Sequence, residues 1–130
     1  MANPSEELGS WANLKKEIYF KKRGPYFREM EIWWTSIGFN IGWEENGKNK
    51  FFERPILVVR KFNNNIFLGV PLTTKVREGK YYFRIVGQKV DGDVILSQIR
   101  LMDAKRLIRR IETIDKEMFT SIKRLIKKLI

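Results

Sequence analysis

A chain of 130 residues, 43% of them hydrophobic and including nine Phe, four Trp and four Tyr, suits one domain with a single core. It contains no His and no Cys, which excludes imidazole-based triads, imidazole or thiolate metal sites and a disulfide framework. Lys and Arg number 26 against 15 acids, a net charge of +11 that favours a polyanionic partner, nucleic acid first. Solubility or an acidic protein partner is the plainer alternative.

No apolar run approaches the roughly 20 residues of a membrane span, and MANPSEELGS lacks the basic-then-apolar layout of a signal peptide. The expected location is therefore cytoplasmic, with no membrane contact and no cofactor or metal.

In chain order, Asn3-Pro4-Ser5-Glu6 opens a helix: an N-cap, a Pro in the first turn, and an acid three residues after the cap. Leu8, Trp11, Leu14 and Ile18 recur at three- and four-residue steps, predicting a helix over residues 4–20. Lys21, Lys22 and Arg23 follow, before a Gly24-Pro25 break. A solvated helix end explains that triplet more simply than phosphate contact does. Residues 1–25 read as an extension, and residues 26–130 as the main domain.

Residues 31–37 are aromatic and β-branched, hence a strand. Gly38, Gly42 and Gly47 punctuate the long loop after it, and such loops are usually functional or mobile. Two hydrophobic strands, 55–62 and 66–70, are joined by a polar turn at 63–65. The run 56–59 does not alternate, which predicts burial on both faces. Residues 75–80 form a charged connection, and 81–86 a further strand. Asp91-Gly92 signals a turn before a strand over 94–101, where Ser97 and Gln98 break an apolar run. Asp103 caps a short turn through Leu107, and 108–114 is ambiguous between strand and helix. From Asp115 an amphipathic helix runs to the end, with Phe119, Ile122, Leu125, Ile126 and Leu129 on one stripe. Five or so short strands with a packed helix predict a small, mostly antiparallel barrel, SH3-like or OB-like.

Polar residues at the ends of buried strands need partners, because leaving one unpaired costs about 1–3 kcal/mol. A turn centred on Asn64 pairs residues whose numbers sum to about 128. That register brings Arg54 and Thr73–Thr74 to one rim of the sheet. A guanidinium fork beside a hydroxyl is a compact phosphate or oxyanion site. The alternative is that Arg54 pairs with a nearby acid while the threonines simply end a strand.

The segments GFNIGWEENGK, FERPILVVRKFN, FLGVPLTTK and VILSQIRLMDAKRL, in that order, make the chain resemble the MazF/PemK family of type II toxin–antitoxin toxins. The resemblance runs from about Glu31 to Ile130. It implies an SH3-like, CcdB/PemK-like barrel with a C-terminal helix, assembled as a homodimer and neutralised by a cognate antitoxin. The implied activity is metal-independent endoribonuclease cleavage of single-stranded RNA such as mRNA. There the 2′-hydroxyl attacks the adjacent phosphate, leaving a 2′,3′-cyclic phosphate and a 5′-hydroxyl.

Carried over position by position, the resemblance makes Arg54, Thr73 and Glu44 catalytic. Arg54 would stabilise the phosphorane, Thr73 would donate to a non-bridging oxygen, and Glu44 would be the base. It places Thr74, Lys75, Arg77, Lys80, Lys48, Lys50, Trp43 and Gln98 on the RNA-binding surface. Arg60, Lys61 and Arg84 are further phosphate candidates, and Phe51 and Phe52 further stacking platforms. Ser97 stands where several relatives carry Asp or Glu, so a base at that position is unavailable here. A non-enzymatic CcdB-like contact poison, or an RNA-binding barrel without catalysis, is the competing reading.

Overall fold

The computed structural model describes residues 3–130. Helix α1 spans Pro4–Tyr19, and the Asn3 side chain accepts a hydrogen bond from the Glu6 N–H at 2.9 Å. Seven strands follow: β1 (Glu31–Ser36), β2 (Glu53–Lys61), β3 (Ile66–Thr73), β4 (Tyr82–Val86), β5 (Asp91–Ile95), β6 (Arg100–Asp103) and β7 (Leu107–Thr113). Helix α2, Lys116–Leu129, closes the chain, with Asp115 accepting from the Met118 N–H at 2.7 Å. No described helix is long and apolar enough to cross a membrane.

All strand pairs are antiparallel, and the sheet order is β4-β5-β3-β2-β1-β7, with β6 also paired to β3. This is the expected barrel-like architecture, but the path ends at β4 and β7 and is not closed. One edge of β3 carries two partners in turn. Ile66–Gly69 pair with β6, whereas Leu72 and Thr73 pair with β5.

That division explains a departure from expectation. The strand predicted over 94–101 is broken by a 3-10 turn at Leu96–Gln98, with β5 before it and β6 after it. Ser97 and Gln98 interrupt the apolar run because the chain leaves the ladder there. The turn predicted at Asp91-Gly92 is instead the start of β5; the chain reverses just before it, where Gly87 N–H bonds the Val90 carbonyl. The ambiguous 108–114 segment is strand β7, paired with β1.

The non-alternating run in β2 is buried on both faces, as predicted. Leu57 and Val59 face one cluster with Ile32, Val70, Leu72 and the α2 residues Phe119, Ile122 and Ile126. Ile56 and Val58 face a second, with Phe27, Trp33, Phe67 and Leu107. Burial of each such side chain contributes about 1.5–3 kcal/mol, so the hairpin is anchored from both sides.

A third, smaller cluster joins α1 to the rest: Trp11, Ile18 and Phe52, with Leu14 and Phe39 against them. The Trp11 and Phe52 rings are 5.6 Å apart and tilted. Trp11 also lies under Gly38, where a Cβ would fall 2.6 Å from the indole, so only glycine admits this approach. The Arg106 guanidinium sits 5.9 Å from the Trp11 ring and donates to the Ser36 carbonyl at 3.1 Å. Burial pushes its pKa below the ordinary value; Arg100 adds to the shift and Asp103 opposes it. Trp11→Ala is expected to lower unfolding free energy by about 3 kcal/mol, read as a reduced urea midpoint at unchanged m. An unchanged midpoint would show that α1 does not stabilise the domain.

Candidate active site

The β2–β3 ladder has two registers. Arg60↔Leu68 and Lys61↔Phe67 sum to 128, whereas Ile56↔Pro71, Leu57↔Val70 and Val58↔Gly69 sum to 127. A bulge at Val59 makes the change. Continued two residues beyond Ile56, the second register sets Arg54 opposite Thr73, one residue from the Thr74 predicted. The shared rim therefore exists, with Thr73 as its hydroxyl.

Arg54 is 11% exposed at its side chain, and its guanidinium is held on three sides. Nε donates to the Asn46 carbonyl at 2.9 Å, Nη1 to the Leu72 carbonyl at 3.2 Å, and Nη2 pairs with Glu45 Oε2 at 3.1 Å. Five N–H groups less the two in hydrogen bonds leave at least one to donate on each terminal nitrogen, with Nη2 also ion-paired. The alternative weighed from sequence, an Arg paired with a local acid, is thus part of the site and does not exhaust it. Thr73 is buried; its Oγ1 accepts from the Lys75 N–H at 3.3 Å, which leaves the hydroxyl hydrogen to donate.

The acid beside Arg54 is Glu45, not the Glu44 expected from the resemblance. Residues 41–44 make a turn, with Glu44 N–H on the Ile41 carbonyl at 3.1 Å. Glu44 is exposed and its Oε1 accepts from the Ile41 N–H at 3.0 Å, closing that turn. The next residue projects inward. Two adjacent acids in GWEEN carry no signal of which one a turn will spend on itself.

Gln98 holds this arrangement from the 3-10 turn between β5 and β6. Its Oε1 accepts from the Glu45 N–H at 3.3 Å, and its Nε2 donates to the Trp43 carbonyl at 3.2 Å. Asn40 Nδ2 donates to the carbonyls of Ile37 and Glu45, and Asn40 N–H donates to Asn46 Oδ1. Gly47 N–H reaches the Gly38 carbonyl at 2.8 Å. The long loop is thus cross-tied rather than loose.

Two cavities open here, one on the Glu45 side and one on the Arg54 and Thr73 side. One of about 630 Å³ is lined by Trp43, Glu44, Glu45, Ser97, Gln98 and Arg100 among others. The second, about 320 Å³, is lined by Arg54, Thr73 and Thr74 with Trp34, Lys48 and Asp91. Of the remaining predicted cations, Lys48 lines the second opening. Lys48 is bonded to Glu53 through the backbone, and the Lys50 ammonium lies 5.1 Å from the Phe51 ring. Thr74, Lys75, Arg77 and Lys80 are exposed along the connection after β3. Trp43 is 98% exposed, whereas Phe52 is buried against Trp11 and cannot stack on a base.

Sequence reasoning also missed Asp93. It is buried, pairs in register with Thr73, accepts from the Arg77 N–H at 2.7 Å, and faces Arg84 at 3.8 Å. It pins the basic connection beside the Thr73 rim. Its signal was a second acid, two residues after Asp91 and just before an apolar run, masked by reading Asp91-Gly92 as a turn. The Arg84 side chain is 46% exposed, so this long ion pair leaves N–H groups of its guanidinium open. Among the described residues, no three acids gather in a way that would hold a metal ion.

Comparison with known proteins matches residues 28–130 to the family described as "PemK-like, MazF-like toxin of type II toxin-antitoxin system". No curated protein matches the chain in sequence. Among solved structures it is similar to MazF from Deinococcus radiodurans, at TM-score 0.66 and 15% identity, covering 81% of this chain and 96% of that one. An endoribonuclease from Mycobacterial species, in complex with its cognate antitoxin, aligns at TM-score 0.62 and 14% identity over 81% and 93% of the two chains. The Mycobacterium tuberculosis toxin MazF-mt6 gives 0.57 and 14% over 75% and 93%. At these identities the solved structures establish the fold.

A Cβ on Gly47 would fall 1.7 Å from the Phe52 carbonyl oxygen, so the loop closes only with glycine there. Gly47→Ala is expected to cost about 3 kcal/mol and to release the Asn46 carbonyl and Glu45 from Arg54. Amide exchange should then show lost protection at Glu45 and Gly47. Retained protection at both would mean the close approach does not position the loop.

Proposed function

Because the chain belongs to the PemK-like, MazF-like toxins of type II toxin–antitoxin systems, whose members are endoribonucleases, we propose that it cuts single-stranded RNA, with mRNA as substrate. Cleavage is sequence-specific, metal-independent and proceeds by internal attack of the 2′-hydroxyl. The carrying observation is the Arg54 guanidinium: nearly buried, paired to Glu45 at 3.1 Å, and lining one cavity with Thr73.

In this mechanism Glu45 takes the base role in place of Glu44, removing the 2′-hydroxyl proton. The 2′-oxygen attacks phosphorus, the bond to the 5′-oxygen breaks, and the leaving 5′-oxygen takes its proton from solvent water. The free N–H groups of Arg54 and the Thr73 hydroxyl meet the charge that builds on the phosphorane oxygens. Arg54 stays charged throughout, since a guanidinium does not give up its proton at neutral pH. Products are a 2′,3′-cyclic phosphate and a 5′-hydroxyl. Such internal attack asks for no activated water.

Lys48, Lys50, Thr74, Lys75, Arg77 and Lys80 hold the RNA backbone, Trp43 offers a face for an unpaired base, and Gln98 fixes the loop that carries Trp43 and Glu45. Residues 26–130 form the catalytic domain, to which residues 1–25 are an addition. A cognate antitoxin covers the basic groove, and the working unit is a homodimer.

Incubation with a long RNA in EDTA, followed by end mapping, tests this directly. Cyclic phosphate and 5′-hydroxyl ends are expected; 3′-hydroxyl and 5′-phosphate ends would sink the internal-attack mechanism. Arg54→Ala and Thr73→Val should each lower kcat by about 100-fold or more. Glu45→Gln should lower it by about 100- to 10,000-fold, with Glu44→Gln near wild type. The reverse order for the two glutamates would return the base role to Glu44. A folded wild-type protein that leaves RNA intact would favour the contact-poison reading.

A further inference from the structure

We propose that the protein carries a second contact surface for single-stranded RNA at the turn end of the β2–β3 hairpin, built by residues 19–28 and remote from Arg54. It rests on the RNA-cleaving reading only for the identity of the polymer. The segment is YFKKRGPYFR, with four aromatic residues, four cations and no acid.

Phe27 alone of the four aromatics is buried, in the core with Phe67, where the two rings are 5.1 Å apart. The others are left outside: Tyr19 is 72% exposed, Phe20 74% and Tyr26 67%. Large aromatics this exposed, with the Tyr19 and Phe20 rings 5.1 Å apart, mark a surface made for contact. They do not stabilise the fold by burial.

The segment is held in place. A Cβ on Gly24 would overlap the Ala104 carbonyl, so the chain here runs hard against the short turn after β6. Lys21 Nζ donates to the Lys105 carbonyl and Lys105 Nζ to the Tyr19 carbonyl, both at 3.4 Å. The Ala104 N–H bonds the Asn65 carbonyl in the hairpin turn at 2.7 Å. Lys61, near the end of β2, donates to the Phe27 carbonyl at 2.6 Å and sits 4.0 Å from the Tyr26 ring. Phe62, 51% exposed, follows it. Beside Tyr26 opens a cavity of about 350 Å³ lined by Arg28, Glu31, Trp33 and Arg110. The Glu31 carboxylate there is already committed to Arg28 N–H, Trp33 Nε1 and Arg110. The opening therefore presents aromatic walls and cations.

Exposed aromatic faces interleaved with cations are what sequence-tolerant binding to a single strand requires: rings for bases, charges for phosphates. A membrane surface fits less well, because interfacial anchoring wants an amphipathic helix, and α1 ends at Tyr19, before the basic run. From Arg54 to Lys61 is seven residues of strand, about 23 Å at 3.3 Å each. One RNA therefore has to be several nucleotides long to touch both places. The surface would add affinity for long RNA without altering the cleavage chemistry.

Fluorescence anisotropy with 2′-O-methyl RNA, which has no attacking hydroxyl, measures binding apart from cleavage. Wild type should hold an unstructured strand of roughly 25 nucleotides more tightly than one of roughly 6. The variant Lys21→Ala/Lys22→Ala/Arg23→Ala should reduce the salt slope for the longer strand by about 2, at about 0.7 per lost phosphate contact. Tyr19→Ala/Phe20→Ala/Tyr26→Ala should weaken it by roughly fivefold or more. Both should leave the shorter strand within twofold, and Lys127→Ala/Lys128→Ala on α2 should change neither. Photocrosslinking of wild type to the longer strand should yield adducts within 19–28, a readout independent of variant folding. Equal affinity for the two lengths, equal loss on both, an equal effect from the α2 variant, or crosslinks absent from 19–28 would each overturn the second surface. None of those results bears on the ends produced at Arg54.

Discussion

A guanidinium at 11% exposure needs acceptors, because a buried charge without them is strongly destabilising. The hairpin itself supplies one of the three that hold Arg54, the Leu72 carbonyl. The other two, the Asn46 carbonyl and the Glu45 carboxylate, come from the loop between β1 and β2. The loop must fold back for Arg54 to be buried at all. Its ties follow from that demand: Gln98 holds it from the 3-10 turn, Asn40 from within, and the Gly47–Gly38 bond at its neck. Phe52 is the floor of the neck, receiving Ile37 N–H and Gly38 N–H on its carbonyl while its ring packs on Trp11. Helix α1 is thus coupled to the site by packing two steps removed from Arg54.

The hairpin and its polar rim were legible because strand geometry has few freedoms. Once Asn63–Asn65 is taken as the turn, antiparallel pairing leaves only the exact register open. The one-residue difference arises at Val59, whose side chain looks no different in sequence from that of Val58. A bulge is chosen by how two sheet faces are filled, and Leu57 and Val59 enter one cluster while Ile56 and Val58 enter the other. Both helices were readable from caps and periodicity, since Asn3 and Asp115 act within one turn of their own position. The family pattern then assigned chemistry to a rim that residue types alone had left undecided between a phosphate site and an ordinary strand end.

Residues 91–103 were less legible for a non-local reason. One edge of β3 must pair with two strands in turn, and that requirement belongs to β3 rather than to the segment that bends. Ser97 and Gln98 were visible as polar breaks, but a break does not say whether the strand resumes on the same partner. Glu44 and Glu45 show the same limit at smaller scale. The turn at 41–44 consumes one carboxylate, and only its closure by Ile41 N–H decides which.

The rim that results is a set of donors. Arg54 keeps one N–H on each terminal nitrogen, and the Thr73 hydroxyl, already accepting from Lys75 N–H, keeps its hydrogen. The nearby carboxylates are held by their own partners, Glu45 by Arg54 and Asp93 by Arg77 N–H and Arg84. A neutral ligand would gain little from such a rim, whereas a tetrahedral anion can accept from all three groups at once. The Glu45 pairing bears on the same point. It balances the buried charge of Arg54, and an anion drawn to the remaining N–H groups would compete with that carboxylate for the same cation. One guanidinium thereby couples the loop that carries Glu45 to whatever the rim binds.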